Sequence, residues 1–161
     1  MGHGECDWFN KVHIQEDRLS EFEKFTLSEG DLVLSLDRPI ISSGLKAARI
    51  RKSDLPCLLL QRVAKFEVDS SVVDLDYLEK WLMSAEFIGK IDPGRSNGVP
   101  HISTKQVAAI PFLKFSISHQ RRIVTKVDEL MVICDQLITR LAAANQLQQK
   151  LADVMVEQAV A

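Results

Sequence analysis

The 161-residue sequence has few of the features that mark several large classes of protein. No apolar run approaches the roughly 18 residues that a membrane-spanning helix needs, so no membrane partner is expected. The chain has three cysteines (Cys6, Cys57 and Cys134), which are far apart and follow no secretion signal. This favours free thiols in the reducing cytoplasm. Aromatic residues make up 6% of the chain, too few for a surface that stacks single-stranded nucleic acid.

Catalytic and metal-binding signatures are also missing. No glycine-rich phosphate loop, dinucleotide fingerprint or nucleophile elbow occurs in the sequence. His3, Cys6 and His13 have an interval compatible with zinc, but three ligands are fewer than the four of a structural site. We therefore expect no catalytic residue, no metal site and no cofactor bound by this chain. Catalytic turnover by the purified chain alone would favour the alternative, an enzyme in its own right.

Charge is nearly balanced over the whole chain but not within it. Twenty basic and 22 acidic side chains give a net charge of −2, which excludes a strongly basic nucleic-acid binder at the whole-chain level. Residues 38–65, however, carry seven basic side chains against Asp54 alone. Such a local excess suits a surface that faces an anion. A solvated strand face with scattered charges explains it equally well.

Residues 1–117 have the pattern of a mixed domain of short strands with peripheral helices. Asp74 or Asp76 is expected to cap a helix that continues to Ile91, and Ser103 with Gln106 fits a capping box. Residues 92–98 are rich in turn-forming types and predict a loop. Apolar, extended segments predict strands at 32–36, 45–50, 57–68 and 110–117.

Residues 118–161 differ in kind because they contain neither proline nor glycine. Their apolar residues recur at alternating intervals of four and three, the 3.5-residue period of a coiled-coil seam. A core helix packed on its own domain would explain the first turns but not the rest. We therefore expect an α+β fold, sheet-rich over residues 1–117 and followed by a long coiled-coil helix over 118–161. The helix–helix seam is expected at Ile123, Val127, Leu130, Leu137 and Leu141.

Four stretches, in the same order along the chain, resemble the specificity subunits of type I restriction-modification systems. Residues 30–46, 59–64 and 92–103, the last with Gly98-Val99-Pro100-His101, are similar to the target-recognition domains of that family. Residues 120–131 look like the start of its spacer helix. Two departures are visible: the segment before the helix lacks the usual prolines, and His119 replaces the usual glutamate before Gln120. A complete recognition domain is longer, so the chain is expected to begin partway through one.

The resemblance implies a non-catalytic subunit that recognises DNA. Family members carry two recognition domains, each followed by a long helix, and the two helices pair as an antiparallel coiled coil. Modification (M) subunits methylate adenine with S-adenosylmethionine, and restriction (R) subunits add ATP-dependent cleavage. S-adenosylmethionine, ATP and Mg would accordingly be bound by the partner subunits. The location implied is the cytoplasm.

Base contact requires side chains that reach a groove edge, and phosphate contact requires exposed Lys or Arg. Arg49, Arg51 and Lys52 are expected to contact phosphate or nothing. Arg62, in a predicted strand, is as compatible with an internal structural role. The residues expected to contact bases and backbone lie on two loops: Arg38, Ser42, Ser43 and Lys46 on the first, and Arg95, Ser96, Asn97 and His101 on the second.

Two functional hypotheses follow. The first is a sequence-specific DNA-binding specificity subunit, or a fragment of one, that directs adenine methylation and cleavage by its partners. Its partners would be double-stranded DNA, the M and R subunits, and a second half-subunit or second copy through the C-terminal helix. The alternative is a scaffold that recognises no DNA and only assembles through its coiled-coil helix.

Overall fold

The computed structural model describes residues 4–9, 11–42, 44–91, 94–96 and 99–160; for 94–96, 99 and 160 it describes the backbone alone. The chain divides into two units, Met1–Gln120 and Arg121–Ala161. None of the described helices is both long and apolar enough to cross a membrane.

The described part of the first unit contains seven short strands, in chain order β1 (Leu32–Ser35), β2 (Ile40–Ile41), β3 (Gly44–Leu45), β4 (Ala47–Arg49), β5 (Val63–Lys65), β6 (Gly94–Ser96) and β7 (Val99–His101). The central sheet has the order β4-β1-β5, and both of its pairings are antiparallel. Strands β2 and β3 form one hairpin, and β6 and β7 form another.

Strand β1 is buried on both faces, which explains why its sequence is a continuous apolar run. Because successive side chains of a strand point to opposite faces, Leu32 and Leu34 enter one core while Val33 enters another. The first core also contains Leu82 and Phe87, both fully buried. The second is smaller and is completed by Leu27, Ala48, Ile50 and Cys57.

The helices begin at residues whose side chains satisfy free backbone N–H groups. The Asp74 carboxylate accepts hydrogen bonds from the N–H groups of Asp76 and Tyr77, and Ser103 with Gln106 forms the predicted capping box. Short 3₁₀ helices span Glu16–Phe25 and Lys52–Asp54. The α-helices are α1 (Leu75–Leu82), α2 (Ala85–Lys90), α3 (Thr104–Ala109) and α4 (Ile117–Val160).

The single helix predicted up to Ile91 is wrong, because the chain turns at Met83 and Ser84. The Ser84 hydroxyl donates to the Trp81 carbonyl at 2.6 Å and accepts from the Phe87 N–H at 3.3 Å, so it ends α1 and starts α2. The break places the fully buried Phe87 ring 4.8 Å from the ring of Trp81. Packing of two aromatic rings thus outweighs continuation of the helix.

The strand predicted at 110–117 is also wrong. Ile110 follows α3, and residues 111–116 belong to no strand of the described chain before α4 begins at Ile117. The apolar residues of this segment pack on α1: the Phe112 ring lies 5.5 Å from Tyr77 and 5.0 Å from Trp81. A short apolar run signals burial, and only its neighbours decide whether burial comes with strand pairing.

The other predicted strands are present but shorter. The segment 45–50 is interrupted at Lys46, whose N–H donates to the Pro39 carbonyl at 2.7 Å. The segment 57–68 contains only β5, preceded by a turn at Gln61 and Arg62. Residues 94–96 of the predicted loop form β6 instead.

The α+β fold with a long C-terminal helix is confirmed. Cys6, Cys57 and Cys134 are free thiols.

Candidate nucleic-acid interface

Three segments of the first unit meet just after the end of β1. After Ser35 the chain hydrogen-bonds to two distant segments: Leu36 donates to the Arg62 carbonyl at 2.8 Å, and Arg38 donates to the Pro100 carbonyl at 2.8 Å. Asp37 and His101 also form an isolated antiparallel bridge. We call the described residues of 36–46, 60–62 and 94–101 the loop cluster.

The loop cluster brings together the two loops that were predicted separately as DNA contacts. Arg38 and Ser42 are exposed in the first loop, and Lys46 is half-buried at its end. In the second loop, His101 is half-buried in β7 and Gly94 of β6 is its register partner. The backbones of Arg95 and Ser96 pair with Pro100 and Val99. Ser43 and Asn97 lie outside the described residues.

Positive charge dominates the side chains of this cluster. Burial, together with the nearby charge of Arg38, lowers the pKa of the Lys46 ammonium, and the Asp37 carboxylate opposes this effect. Lys46 has no ion pair within 4 Å in the part of the chain that the structure describes. An anion arriving beside Lys46 and Arg38 would therefore be attracted electrostatically.

Arg62 is a further cation of the loop cluster, and the sequence placed it in a strand. The structure places it in the turn before β5, with its backbone in the left-handed region at φ 68°. Its guanidinium Nη1 donates to the Asp37 carboxylate at 3.1 Å, and 53% of its side chain remains exposed. No sequence pattern identifies an arginine whose backbone is in the left-handed region. The position of Arg62 in this cluster could therefore be found only from the structure.

The other predicted cations lie elsewhere. Strands β1 and β4 are antiparallel, with Leu34 opposite Ala47 and Leu32 opposite Arg49, so Arg49 lies at the end of β4 remote from Lys46. The Arg49 guanidinium ties β4 to α1: it donates to Glu79 at 2.9 Å and to Asp76 at 2.6 Å. Its role in the described structure is internal.

Arg51 and Lys52 follow β4 at that same remote end. The Arg51 guanidinium donates to the Gly4 carbonyl at 3.3 Å, and both side chains are exposed around the short helix Lys52–Asp54. The described structure therefore assigns these two residues to a different region from the loop cluster.

The start of α4 is fixed to the first unit by a buried glutamine. Gln120 has no exposed surface. Its carbonyl oxygen accepts from the Asp74 N–H at 2.8 Å, and its Nε2 donates to the carbonyls of Val72 at 2.9 Å and Phe115 at 2.7 Å. His119, which replaces the glutamate expected by resemblance, stacks on Phe115 with ring centroids 4.7 Å apart.

Beyond Gln120 the helix continues without a break to Val160. At about 1.5 Å per residue, the 44 residues of α4 give a rod of about 65 Å. Of the predicted seam, Ile123 and Val127 are half-buried, whereas Leu130, Leu137 and Leu141 are 50%, 58% and 63% exposed. A stripe of exposed leucines on a helix is typical of a surface that pairs with another helix.

Among the residues that the structure describes, no group of three or more metal-ligating side chains occurs. His3 of the possible zinc set lies outside those residues.

No family model matches the chain. Three known proteins that are similar to it are all specificity subunits of type I restriction enzymes. The chain is 52% identical over 160 residues to the type I restriction enzyme EcoAI specificity subunit of Escherichia coli, and 36% identical over 87 residues to the MjaVIII specificity subunit of Methanocaldococcus jannaschii. The Escherichia coli EcoEI specificity subunit is 20% identical over 140 residues. The matches cover 99%, 54% and 85% of this chain but only 27%, 20% and 23% of the relatives. They confirm the resemblance recognised in the sequence.

Proposed function

Since the chain is a homologue, over almost its whole length, of part of a type I restriction enzyme specificity subunit, we propose that it recognises a sequence in double-stranded DNA. The observation that carries this proposal is the loop cluster. Two loops whose residues suit DNA contact are separated by about 50 positions in sequence, yet their backbones are hydrogen-bonded to each other. Phosphate contact falls to Lys46 and Arg38, and base contact to the other predicted residues of the two loops.

The remaining parts of the proposal concern the complex. The chain performs no chemistry itself and works in the cytoplasm. It directs adenine methylation by the M subunits and cleavage by the R subunits, which bind S-adenosylmethionine, ATP and Mg. The exposed leucines of α4 pair with a second helix, either in the same specificity subunit or in a second copy of the chain. Such pairing sets the distance between two recognised half-sites.

Selection of duplexes from a randomised pool tests the DNA-binding proposal. The chain, with its cognate modification subunit, is mixed with the pool at moderate salt, and bound duplexes are sequenced. An enriched short motif, alone or repeated at a fixed spacing, is the expected result. Binding without an enriched motif, or no binding, would overturn the proposal.

Charge-removing variants then test the loop cluster. Arg38→Ala and Arg95→Ala are each expected to weaken binding while the chain stays folded, and loss of one phosphate contact lowers the salt slope by about 1. Arg18→Ala is the matched control, because Arg18 is an exposed arginine of the helix Glu16–Phe25 and pairs with Glu21 at 2.9 Å. Unchanged affinity, sequence preference and salt dependence in both loop variants would remove the loops from the interface.

The second candidate function is the scaffold without DNA recognition, and the exposed leucines of α4 favour it equally. Leu137→Glu should abolish association through the helix, which sedimentation measures. Gln136→Glu is the control, because Gln136 is an exposed polar position next to it. If Leu137→Glu abolishes association and the selection enriches no duplex motif, the chain acts as a scaffold that does not recognise DNA.

A further inference from the structure

Two arginines of the loop cluster hold a backbone conformation that L-residues seldom adopt. Arg38 has φ 46° and Arg62 has φ 68°, both in the left-handed region. Glycine adopts this conformation at lower cost because it has no Cβ to crowd the following carbonyl, and asparagine does so through local hydrogen bonds of its side chain. Backbone strain of this kind concentrates at functional sites, where the side chain is needed. The positions of these two side chains therefore invite a functional explanation.

Asp37 precedes Arg38 in the chain and pairs with the other arginine, Arg62. Its Oδ1 accepts from Arg62 Nη1 at 3.1 Å, while its own carbonyl accepts from the Ser35 hydroxyl at 2.9 Å. The backbone of Arg62 is fixed in turn, since its carbonyl accepts from the Leu36 N–H. The side chains of Arg62 and Asp37 are 53% and 42% exposed, so the guanidinium is oriented but open to solvent.

The pairing separates Arg62 from the other cations of the cluster. Neither Lys46 nor Arg38 has a carboxylate partner within 4 Å among the described side chains, which suits contact with phosphate. Asp37 instead offsets the charge of Arg62 and would repel a phosphate placed beside it. What the pair retains is a guanidinium of restricted orientation, 53% exposed, whose other N–H groups remain available as donors. This arrangement suits a neutral partner with two adjacent acceptors.

We propose that Arg62 reads a guanine through its O6 and N7 atoms in the major groove, and that Asp37 is the positioning residue that orients the Arg62 guanidinium. Guanine presents two acceptors side by side on that edge, and the arginine fork matches them with two hydrogen bonds. The inference rests on the proposed DNA recognition and assigns a base contact to a residue that the sequence left undecided.

Substitution at Arg62 separates base reading from charge. Starting from the selected duplex, each base pair is exchanged in turn and binding is measured at several salt concentrations, with the modification subunit present. Arg62→Lys keeps the charge but loses the fork, so discrimination at one G·C pair should fall by about 5- to 150-fold with an unchanged salt slope. Arg62→Gly should lose the same discrimination while remaining folded, because glycine suits the left-handed turn.

Asp37→Asn tests the positioning role by moving two quantities in opposite directions. Discrimination at the same base pair should fall, while affinity for a scrambled duplex should rise because a negative charge near the phosphates is gone. Arg18→Ala, an arginine that is also paired with a carboxylate, should leave discrimination at that base pair unchanged.

Three results overturn parts of the inference. Retained discrimination in Arg62→Lys shows that Arg62 does not read a base through its fork. Retained discrimination in Asp37→Asn removes the positioning role. If the unsubstituted chain distinguishes no duplex at all, the proposed DNA recognition fails first, and this outcome is separate from a failure confined to the variants.

Discussion

The buried Gln120 makes a quantitative prediction for the stability of the first unit. Gln120→Leu keeps the approximate volume of the side chain but removes all of its hydrogen-bonding groups. The Asp74 N–H and the carbonyls of Val72 and Phe115 then lose partners that lie 2.7 to 2.9 Å away in a site without solvent exposure. Because Gln120 also lies in the first turn of α4, these bonds attach the start of the helix to the segment 72–74 and to Phe115.

The magnitude follows from the number of bonds. A buried neutral hydrogen bond contributes about 0.5–1.5 kcal/mol net, and a buried group left without a partner costs about 1–3 kcal/mol. Three bonds, offset in part by the added apolar burial of leucine, give a loss of about 3 kcal/mol. With a urea m-value of about 2 kcal/mol/M, the midpoint of unfolding falls by about 1.5 M.

Urea unfolding followed by tryptophan fluorescence measures this loss, because Trp81 is buried in the core of the first unit. Gln136→Leu is the matched control: Gln136 is exposed on α4, and its substitution should change stability by less than about 0.5 kcal/mol. If the two variants unfold at the same urea concentration, the three bonds do not stabilise the unit and the reasoning is refuted.

Gln120→Glu adds a pH test at the same position. The new carboxyl retains an acceptor for the Asp74 N–H, but its ionised form faces the carbonyls of Val72 and Phe115. Burial and these oxygens favour the neutral form, so its pKa in the folded state is raised above that in the unfolded state. The folded state then binds more protons, and the variant should lose stability as pH rises. A loss independent of pH would contradict this account.

Three further outcomes are expected. Phe87→Ala removes a fully buried ring and should cost about 3–5 kcal/mol in denaturant unfolding, whereas Phe9→Ala, at 90% exposure, should cost less than about 0.5 kcal/mol; equal losses would contradict the core assignment. Asp74→Ala removes the N-cap of α1 and should lower stability by about 1 kcal/mol, and an unchanged midpoint would contradict this. Hydrogen bonds from the Arg51 N–H and from the Trp8 indole lower the pKa of Asp54, so the stability it contributes is present above its ordinary value of 3.8 and lost as pH falls below it. The difference in melting temperature between Asp54→Asn and the unsubstituted chain should therefore shrink from pH 7 to pH 3, and a constant difference would refute it.

Features that depend on residues close together in the sequence were predicted well. The apolar run of β1, the caps at Asp74 and Ser103, and the periodicity of α4 are local signals, and each structure forms near its predicted position. A cap or a periodic face acts within one or two turns of chain, so a single sequence contains the information needed to recognise it.

Predictions failed where a distant neighbour decided the outcome. The helix to Ile91 breaks because Phe87 packs on Trp81, and the strand at 110–117 is absent because Phe112 packs on α1. In both places the sequence correctly indicates burial. The sequence does not show which distant residue packs against the buried side chain, and that contact decides the backbone conformation.

The sequence by itself therefore determined the mixed fold, the long helix with its apolar stripe, and a set of candidate contacts in two loops. Only the tertiary structure decided which cations share a surface. The antiparallel register of β1 and β4 places Arg49 opposite Leu32, where it pairs with Glu79 on α1, whereas Lys46 precedes the other end of β4. Arg62 reaches Asp37 across 25 positions of sequence. Charge is a property of each residue, but the field at a surface depends on distances that exist only after the chain has folded.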